Sequence, residues 1–146
     1  EKDNIKTYIG NQADVNFLGS VIKDIGKPDI IIDDGGHTSN QQILSFNYLF
    51  GHLNDKGTYL VEDTHTSYHS DFQDRQDGFT FMDYAKSLPD KLNLWYQYND
   101  YKIYKKEIKE KINMPYLTKN THKISFYNSI VVFEKRNVET PLSITK

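Results

Sequence analysis

Two unbroken apolar runs, each closing on acids, constrain this chain more than anything else in it: Asp29-Ile30-Ile31-Ile32-Asp33-Asp34-Gly35-Gly36-His37 and Thr58-Tyr59-Leu60-Val61-Glu62-Asp63. A β-branched run too continuous for a sheet with one wet face reads as a buried parallel strand, with helices expected on both faces. Each such strand delivers its carboxylates to one edge of the sheet, where open α/β folds hold their ligands. Two acidic edges side by side, with His37 just past Asp34, read as a metal-assisted site.

The intervening stretches fit that frame. Ile5 to Ile9 alternates apolar and polar residues and is expected to form a short strand. Ala13 to Ile25 carries Val15, Leu18, Val21, Ile22 and Ile25 at helical spacing, with Gly26 and Pro28 to stop it. A second helix, capped by Ser39 or Asn40, shows the stripe Ile43, Leu44, Phe46, Leu49, Phe50 and Leu53. Strand, helix, strand, helix, strand with short connections is the pattern of a parallel α/β sheet. Thr64 to Gly78 is polar and aperiodic, a long loop of the kind that serves as a lid or binding segment. A helix is expected from Phe79 to Leu94, bent or divided at Pro89, followed by a charged surface helix over Tyr101 to Ile112. Lys123 to Glu134 holds two strand-like runs around Tyr127 and Asn128, an antiparallel hairpin, and the chain beyond Arg136 reads as a frayed tail.

Composition narrows the classes. With 146 residues the chain fits one domain. Eighteen basic against twenty acidic residues, a net charge of −2, give no electrostatic case for nucleic acid or an anionic membrane. No apolar run approaches the ~18 residues of a membrane span. The absence of cysteine removes disulfides, thiolate zinc sites and cysteine nucleophiles, and suits the reducing cytoplasm. Eleven tyrosines and eight phenylalanines suit a groove for a polar ligand, a protein interface or ordinary packing.

Hard divalent ions such as Mg²⁺ take oxygen ligands, so one carboxylate from each edge, Asp34 and Asp63, makes a sensible half-site. His37, with an unperturbed pKa near ~6.5, could take a proton from a polarised hydroxyl at neutral pH. The plainer alternatives are a generic Asp-Gly turn over 33–36 and a helix-entry hydrogen bond for His37. His65 and His69, four apart, would align as a zinc pair only on a helix; in a loop they belong to a substrate-facing lid. No Gly-x-Ser-x-Gly elbow, Walker loop or Gly-x-Gly-x-x-Gly turn is present.

Taken together, Tyr8 to Asp14, Asp29 to His37, Gln41, Gln42, Ser45 and Phe46, Leu53 to Gly57, Val61 to Tyr68 and Ile124 to Glu134 resemble class I S-adenosylmethionine-dependent methyltransferases. The nearest group is the macrolide-sugar O-methyltransferases of the mycinamicin type and their polysaccharide-biosynthesis relatives. The resemblance implies a Rossmann-like sheet of order 3-2-1-4-5-7-6 ending in an antiparallel hairpin. It implies Mg²⁺ on Asp34 and Asp63, His37 as general base, and Glu62 and Asp33 as neighbours, Asp33 on the ligand side. It also implies Asn11 and Gln12 beside S-adenosylmethionine, although Asn11 stands where relatives usually carry an acid. The acceptor would be a hydroxyl of a sugar, a sugar-bearing natural product or a polysaccharide. On the same grounds residues 1–136 correspond to a partial domain lacking the first two strands, with 137–146 as a tail. Such a chain is expected to bind the cofactor poorly. It is also expected to repack its first strand or to self-associate as a homo-oligomer through the exposed edge of the Ile30 strand. Two other readings stay open: a non-catalytic glycan- or protein-binding Rossmann-like module, and a metal-dependent hydroxylase using His37, Asp34 and His65.

Overall fold

The computed structural model describes residues 4–97 and 114–139; the charged stretch over 101–112 lies outside them. Strand β1 (Ile30–Asp33) pairs in parallel with β2 (Thr58–Val61), Ile30 opposite Thr58 and Asp33 opposite Val61. Across β2 lies β4 (Ile130–Lys135), antiparallel, and beyond it β3 (Thr121–Tyr127), so the sheet order is β1-β2-β4-β3. This is the 4-5-7-6 portion of the order expected from the sequence, and the hairpin falls where its two apolar runs placed it.

Helix α1 (Val15–Ile25) starts at Asp14, whose carboxylate accepts from the amides of Asn16 and Phe17, and stops at Gly26, where φ is 79°. Helix α2 (Ser39–Leu49) is capped one residue earlier than the sequence reading placed it. Thr38 accepts from the Gln41 amide while the Gln41 side chain reaches back, a reciprocal capping box. Helix α3 (Phe81–Leu92) runs through Pro89 and ends within its next turn, and α4 (Leu94–Gln97) follows after Asn93. Pro89 has no N–H to donate to the Ala85 carbonyl, and the helix continues only three residues beyond it. A short α5 (Tyr116–Asn120) leads into β3.

The core is aromatic and sits on one face of the sheet. Phe46 of α2 lies 4.3 Å from the Phe133 ring, 5.0 Å from Phe50 and 5.3 Å edge-on from Tyr59. Val61, Val131, Phe81 and Leu88 complete the cluster, with Ile31 packed against it. Among the described residues five phenylalanines and tyrosines are thus core packing, whereas seven others, Tyr68 and Tyr127 among them, are exposed. The expectation of helices on both faces is corrected here: the described helices gather on the face of Ile31, Tyr59 and Phe133, while Ile30 and Ile32 are 66% and 60% exposed. Only alternate positions of the run are covered, as the pleat requires when packing comes from one side.

Two further expectations are corrected. Ile5 to Ile9 forms no strand; Ile9 is 96% exposed, and the segment is held instead by Lys6 and Tyr8 meeting Asp24 of α1. Alternation favours a strand only when a neighbour supplies ladder hydrogen bonds, and β1 has no second neighbour among the described residues. The chain after β4 is not frayed through Val138: Arg136 and Val138 donate to the carbonyls of Asn120 and Lys119, and the Asn137 amide to Asp55. Residues 140–146 lie outside the described part.

Lys135 fastens β4 to the end of α2. Its ammonium is buried and donates to the carbonyls of Gly51 at 3.2 Å and Leu53 at 2.6 Å, with the Tyr116 ring 5.8 Å away. These carbonyls belong to the 3₁₀ turn that prolongs α2 and its exit, where helical acceptors lack partners and cations are favoured. Lys135→Met should leave them unmet and cost about 1–3 kcal/mol. Urea unfolding measures it, and a loss near zero would contradict the anchoring role.

Candidate active site

Register brings the two acidic edges together. Because Asp33 stands opposite Val61 and its carbonyl accepts from the Glu62 amide at 3.0 Å, Asp34 and Asp63 leave neighbouring strands at the same end of the sheet. Donor atoms of Asp34, His37 and Asp63 all lie within 4.8 Å of one another, the one such three-residue group among the described residues. His37 Nε2 is 3.8 Å from Asp34 Oδ1 and 3.7 Å from Asp63 Oδ2. These separations exceed a hydrogen bond, so the three groups converge on shared space without closing it.

The backbone is strained at this point. His37 and Asp63 have φ of 57° and 52°, left-handed values that a side chain adopts at a cost. Such costs of order 1–3 kcal/mol concentrate at functional sites. Nδ1 of His37 is buried with no hydrogen-bond partner among the described residues, whereas Nε2 faces the carboxylates. Thr66 Oγ donates to the His37 carbonyl at 3.0 Å and to the Asp63 carbonyl at 2.8 Å, so one hydroxyl ties both left-handed residues together. The Phe72 ring stands edge-on to His37, 6.4 Å between centroids.

Asp33 does not join the cluster. It is 7% exposed and points inward, where Gln12 Nε2 donates to one oxygen at 2.8 Å and the Tyr59 hydroxyl to the other at 2.9 Å. Burial raises its pKa above the ordinary carboxylate value, although these hydrogen bonds and nearby His37 pull the other way. Burial likewise raises the pKa of Tyr59, and Asp33 beside it adds to the shift. Gln12 is thus occupied, its amide oxygen also accepting from the Gly36 amide at 2.8 Å. Asn11 shapes the turn before α1, accepting from the Ala13 amide at 2.9 Å.

Glu62 contributes backbone rather than side chain to this order: its carbonyl accepts from Nε2 of the buried Gln42 at 3.2 Å. The stretch after Asp63 is not a structureless loop, because 3₁₀ turns span Thr64–Tyr68 and Ser70–Phe72. His65 and His69 stack edge-on at 5.6 Å, but His65 Nδ1 is engaged by Ser129 Oγ at 2.7 Å. The cluster therefore holds one imidazole, not the two that a ferrous facial triad needs. Farther along, Asp74 accepts from Thr38 Oγ at 2.6 Å and the Asn40 amide at 2.9 Å, laying this segment over the start of α2. Sequence reading missed Tyr59, Gln42, Thr66 and Asp74 as site-building residues; only Thr66, beside the second acidic edge, carried a local signal.

A four-strand α/β sheet of this order, with carboxylates and a histidine gathered at one end of its parallel pair, is a class I methyltransferase-like fold. No protein-family model matches the chain. Its relatives are sugar O-methyltransferases. It is 38% identical over 91 residues to the 8-demethyl-8-alpha-L-rhamnosyl tetracenomycin-C 2'-O-methyltransferase of Streptomyces olivaceus, a match covering 61% of this chain and 24% of that protein. To the mycinamicin VI 2''-O-methyltransferase of Micromonospora griseorubida it is 37% identical over 90 residues, 59% of this chain and 23% of that one. Among solved structures it is similar to the MycE methyltransferase of the mycinamycin pathway in complex with Mg and SAH, with a TM-score of 0.78 and 27% identity. That likeness covers 94% of this chain and 34% of the other. The chain thus spans about a quarter of the length of the curated relatives it matches.

The raised pKa of Asp33 means that the folded protein holds this proton more tightly than the unfolded chain does. Its contribution to stability is complete below the ordinary carboxylate value and is lost as pH rises through the higher folded one. The stability of the parent protein relative to Asp33→Asn should therefore fall with rising pH across that window. Urea titrations at a series of pH values test this, and a flat difference would contradict the assignment.

Proposed function

We propose that this chain carries the metal and base part of an O-methyl-transfer centre that methylates a hydroxyl of a sugar, a sugar-bearing natural product or a polysaccharide. The observation that carries the reading is the convergence of Asp34, His37 and Asp63 at the end of a class I methyltransferase-like sheet. Two carboxylates that face one another without mutual hydrogen bonds are the oxygen donors a hard divalent cation takes, so Asp34 and Asp63 would hold Mg²⁺. When bound, the ion supplies Lewis-acid polarisation of the acceptor hydroxyl, and S-adenosylmethionine supplies a methyl already activated on sulfonium.

His37 is the group that receives the proton. Nε2, between the two carboxylates, takes it from the acceptor hydroxyl, and the imidazolium formed is stabilised by Asp34 and Asp63 at 3.8 and 3.7 Å. With that proton held on His37, the hydroxyl oxygen would be the nucleophile for the cofactor's methyl carbon, the electron pair of the carbon–sulfur bond being left on the cofactor's sulfur. Thr66 holds the backbone of base and ligand in one geometry, and Phe72 shields the imidazole from one side.

The cofactor side is less complete in these residues. Gln12 and Asp33 bond each other and Asn11 is turned into its own loop, so among the described residues they form no open cradle for S-adenosylmethionine. Asn11, exposed in front of α1 with its Oδ1 bonded to the Ala13 amide, would approach it through its side-chain nitrogen. A cytoplasmic location fits the cysteine-free sequence, and no described helix is long and apolar enough to cross a membrane.

In the native gene product, His37→Ala should lower methyl transfer by about 10²–10⁴-fold while calorimetric Mg²⁺ affinity stays within a few-fold of the parent. Near-normal turnover would remove His37 as base. Asp34→Asn should instead weaken Mg²⁺ binding. Ferrous iron bound in preference to Mg²⁺ would point to a hydroxylase, and no metal affinity to a binding module. We also infer a homo-oligomer formed along β1, whose outer edge lacks a strand among the described residues. Sedimentation should show a dimer that dissociates in Ile32→Lys; a monomer at micromolar concentration would exclude it.

A further inference from the structure

We propose that Gln12 is a positioning residue whose single amide clasps both ends of the Asp33–Gly36 turn and so sets Asp34 and His37 against Asp63. This rests on the reading of Asp34 and Asp63 as the metal-holding pair. The turn needs a restraint of its own. It leaves β1 through two consecutive glycines, the most freely rotating residues, and delivers His37 in a left-handed conformation with φ of 57°.

The restraint is bidentate. Gln12 Nε2 donates to Asp33 Oδ1 at 2.8 Å, and Gln12 Oε1 accepts from the Gly36 amide, also at 2.8 Å. One planar carboxamide thereby spans the residues on either side of Asp34 and Gly35. The turn lies directly against it, since a Cβ added to Gly35 would fall 1.8 Å from Gln12 Oε1. On its other flank, a Cβ at Gly36 would fall 2.2 Å from Gln41 Oε1. A side chain at Gly35 would therefore displace the Gln12 carboxamide, and one at Gly36 that of Gln41, so the two glycines leave room for the clasp.

The clasp is tied to the scaffold at three points. Ser45, buried on α2, donates to the Gln12 carbonyl at 3.1 Å and sits 3.1 Å from Gln12 Nε2. Asp33 carries the connection through Tyr59 into β2, the strand that leads to Asp63. Backbone pairing of β1 with β2 completes the frame. Only a carboxamide of this length gives and accepts at once: a glutamate would set a second acid beside buried Asp33, and an asparagine would fall short by a methylene. Residues that orient metal ligands from behind typically change metal affinity 10–100-fold when replaced.

The test needs no methyl-transfer assay. Gly36 is exposed, so without the clasp its amide should exchange with solvent at the rate of an unstructured glycine. In the parent protein, exchange is expected to be slowed at least tenfold, read by NMR without metal. A random-coil rate there overturns the clasp whether or not any variant folds. Gln12→Met keeps the side-chain length and removes both hydrogen bonds; Gly36 protection should disappear and the dissociation constant for MgCl₂ should rise tenfold or more. Thermal unfolding checks that the variant is folded. Lost Gly36 protection with unchanged Mg²⁺ affinity overturns the positioning role. A parent protein that protects Gly36 yet binds no Mg²⁺ overturns the metal reading itself, an outcome distinct from failure of the clasp.

Discussion

Four residues of β1 lie beside four of β2 with Asp33 opposite Val61, and every other feature of the site inherits that register. A slip of one residue would turn Asp33 to the outer face of the sheet and drive an isoleucine toward Gln12, because side chains alternate along a strand. It would also move Asp34 by one rise of about 3.3 Å relative to Asp63, close to the separation on which the cluster depends. The aromatic packing of Phe46, Tyr59 and Phe133 holds the register from one face. The Asp33–Tyr59 hydrogen bond holds it at the acidic end, where a slip would leave the buried Tyr59 hydroxyl without its acceptor.

The parts legible in the sequence are those written in continuous or periodic patterns. The isoleucine run, the Tyr59-Leu60-Val61 run and the terminal hairpin carry enough β-branched and aromatic residues to define strands, and the acidic ends of the first two point to the candidate site. Asp34, His37 and Asp63 lie where the two parallel runs end in acids, and the structure gathers these three, whereas Glu134, which directly follows the Ile130 to Phe133 run, pairs with Lys123 instead. What stayed hidden depends on distant partners. Ile5 to Ile9 alternates like a strand, yet alternation says nothing about whether a neighbour is present to pair with it. Gln12 and Gln42 enter the sequence reading only through the resemblance; that one ends half-buried on Asp33 and the other buried under the Glu62 carbonyl is decided by tertiary packing. Thr38, one residue before the caps read from the sequence, competes with Ser39 and Asn40 on equal local chemistry, and the contact from Asp74 favours it.

Polar residues carry the interior of the site where a hydrophobic core might have served. Asp33, Gln42, Ser45, Thr64, Thr66 and Ser67 are all buried around the two acidic edges. Such a network is worth little when partly satisfied and much when complete, because the low dielectric that strengthens each bond also penalises each orphan. Here most members have partners, and among the described residues the exceptions include Nδ1 of His37 and Oε1 of Gln42. The arrangement specifies one geometry for the exposed carboxylates rather than adding raw stability.

The left-handed backbone at His37 and Asp63 has a consequence for how this protein can change. Glycine at either position would relax the local backbone while loosening the unfolded chain, as it also would at Lys56 and Ser129, so two of the four left-handed non-glycine residues among the described ones are members of the candidate site. Selection for heat resistance alone would not distinguish these two positions from Lys56 and Ser129, so only a requirement for the side chains themselves would keep a histidine and an aspartate there.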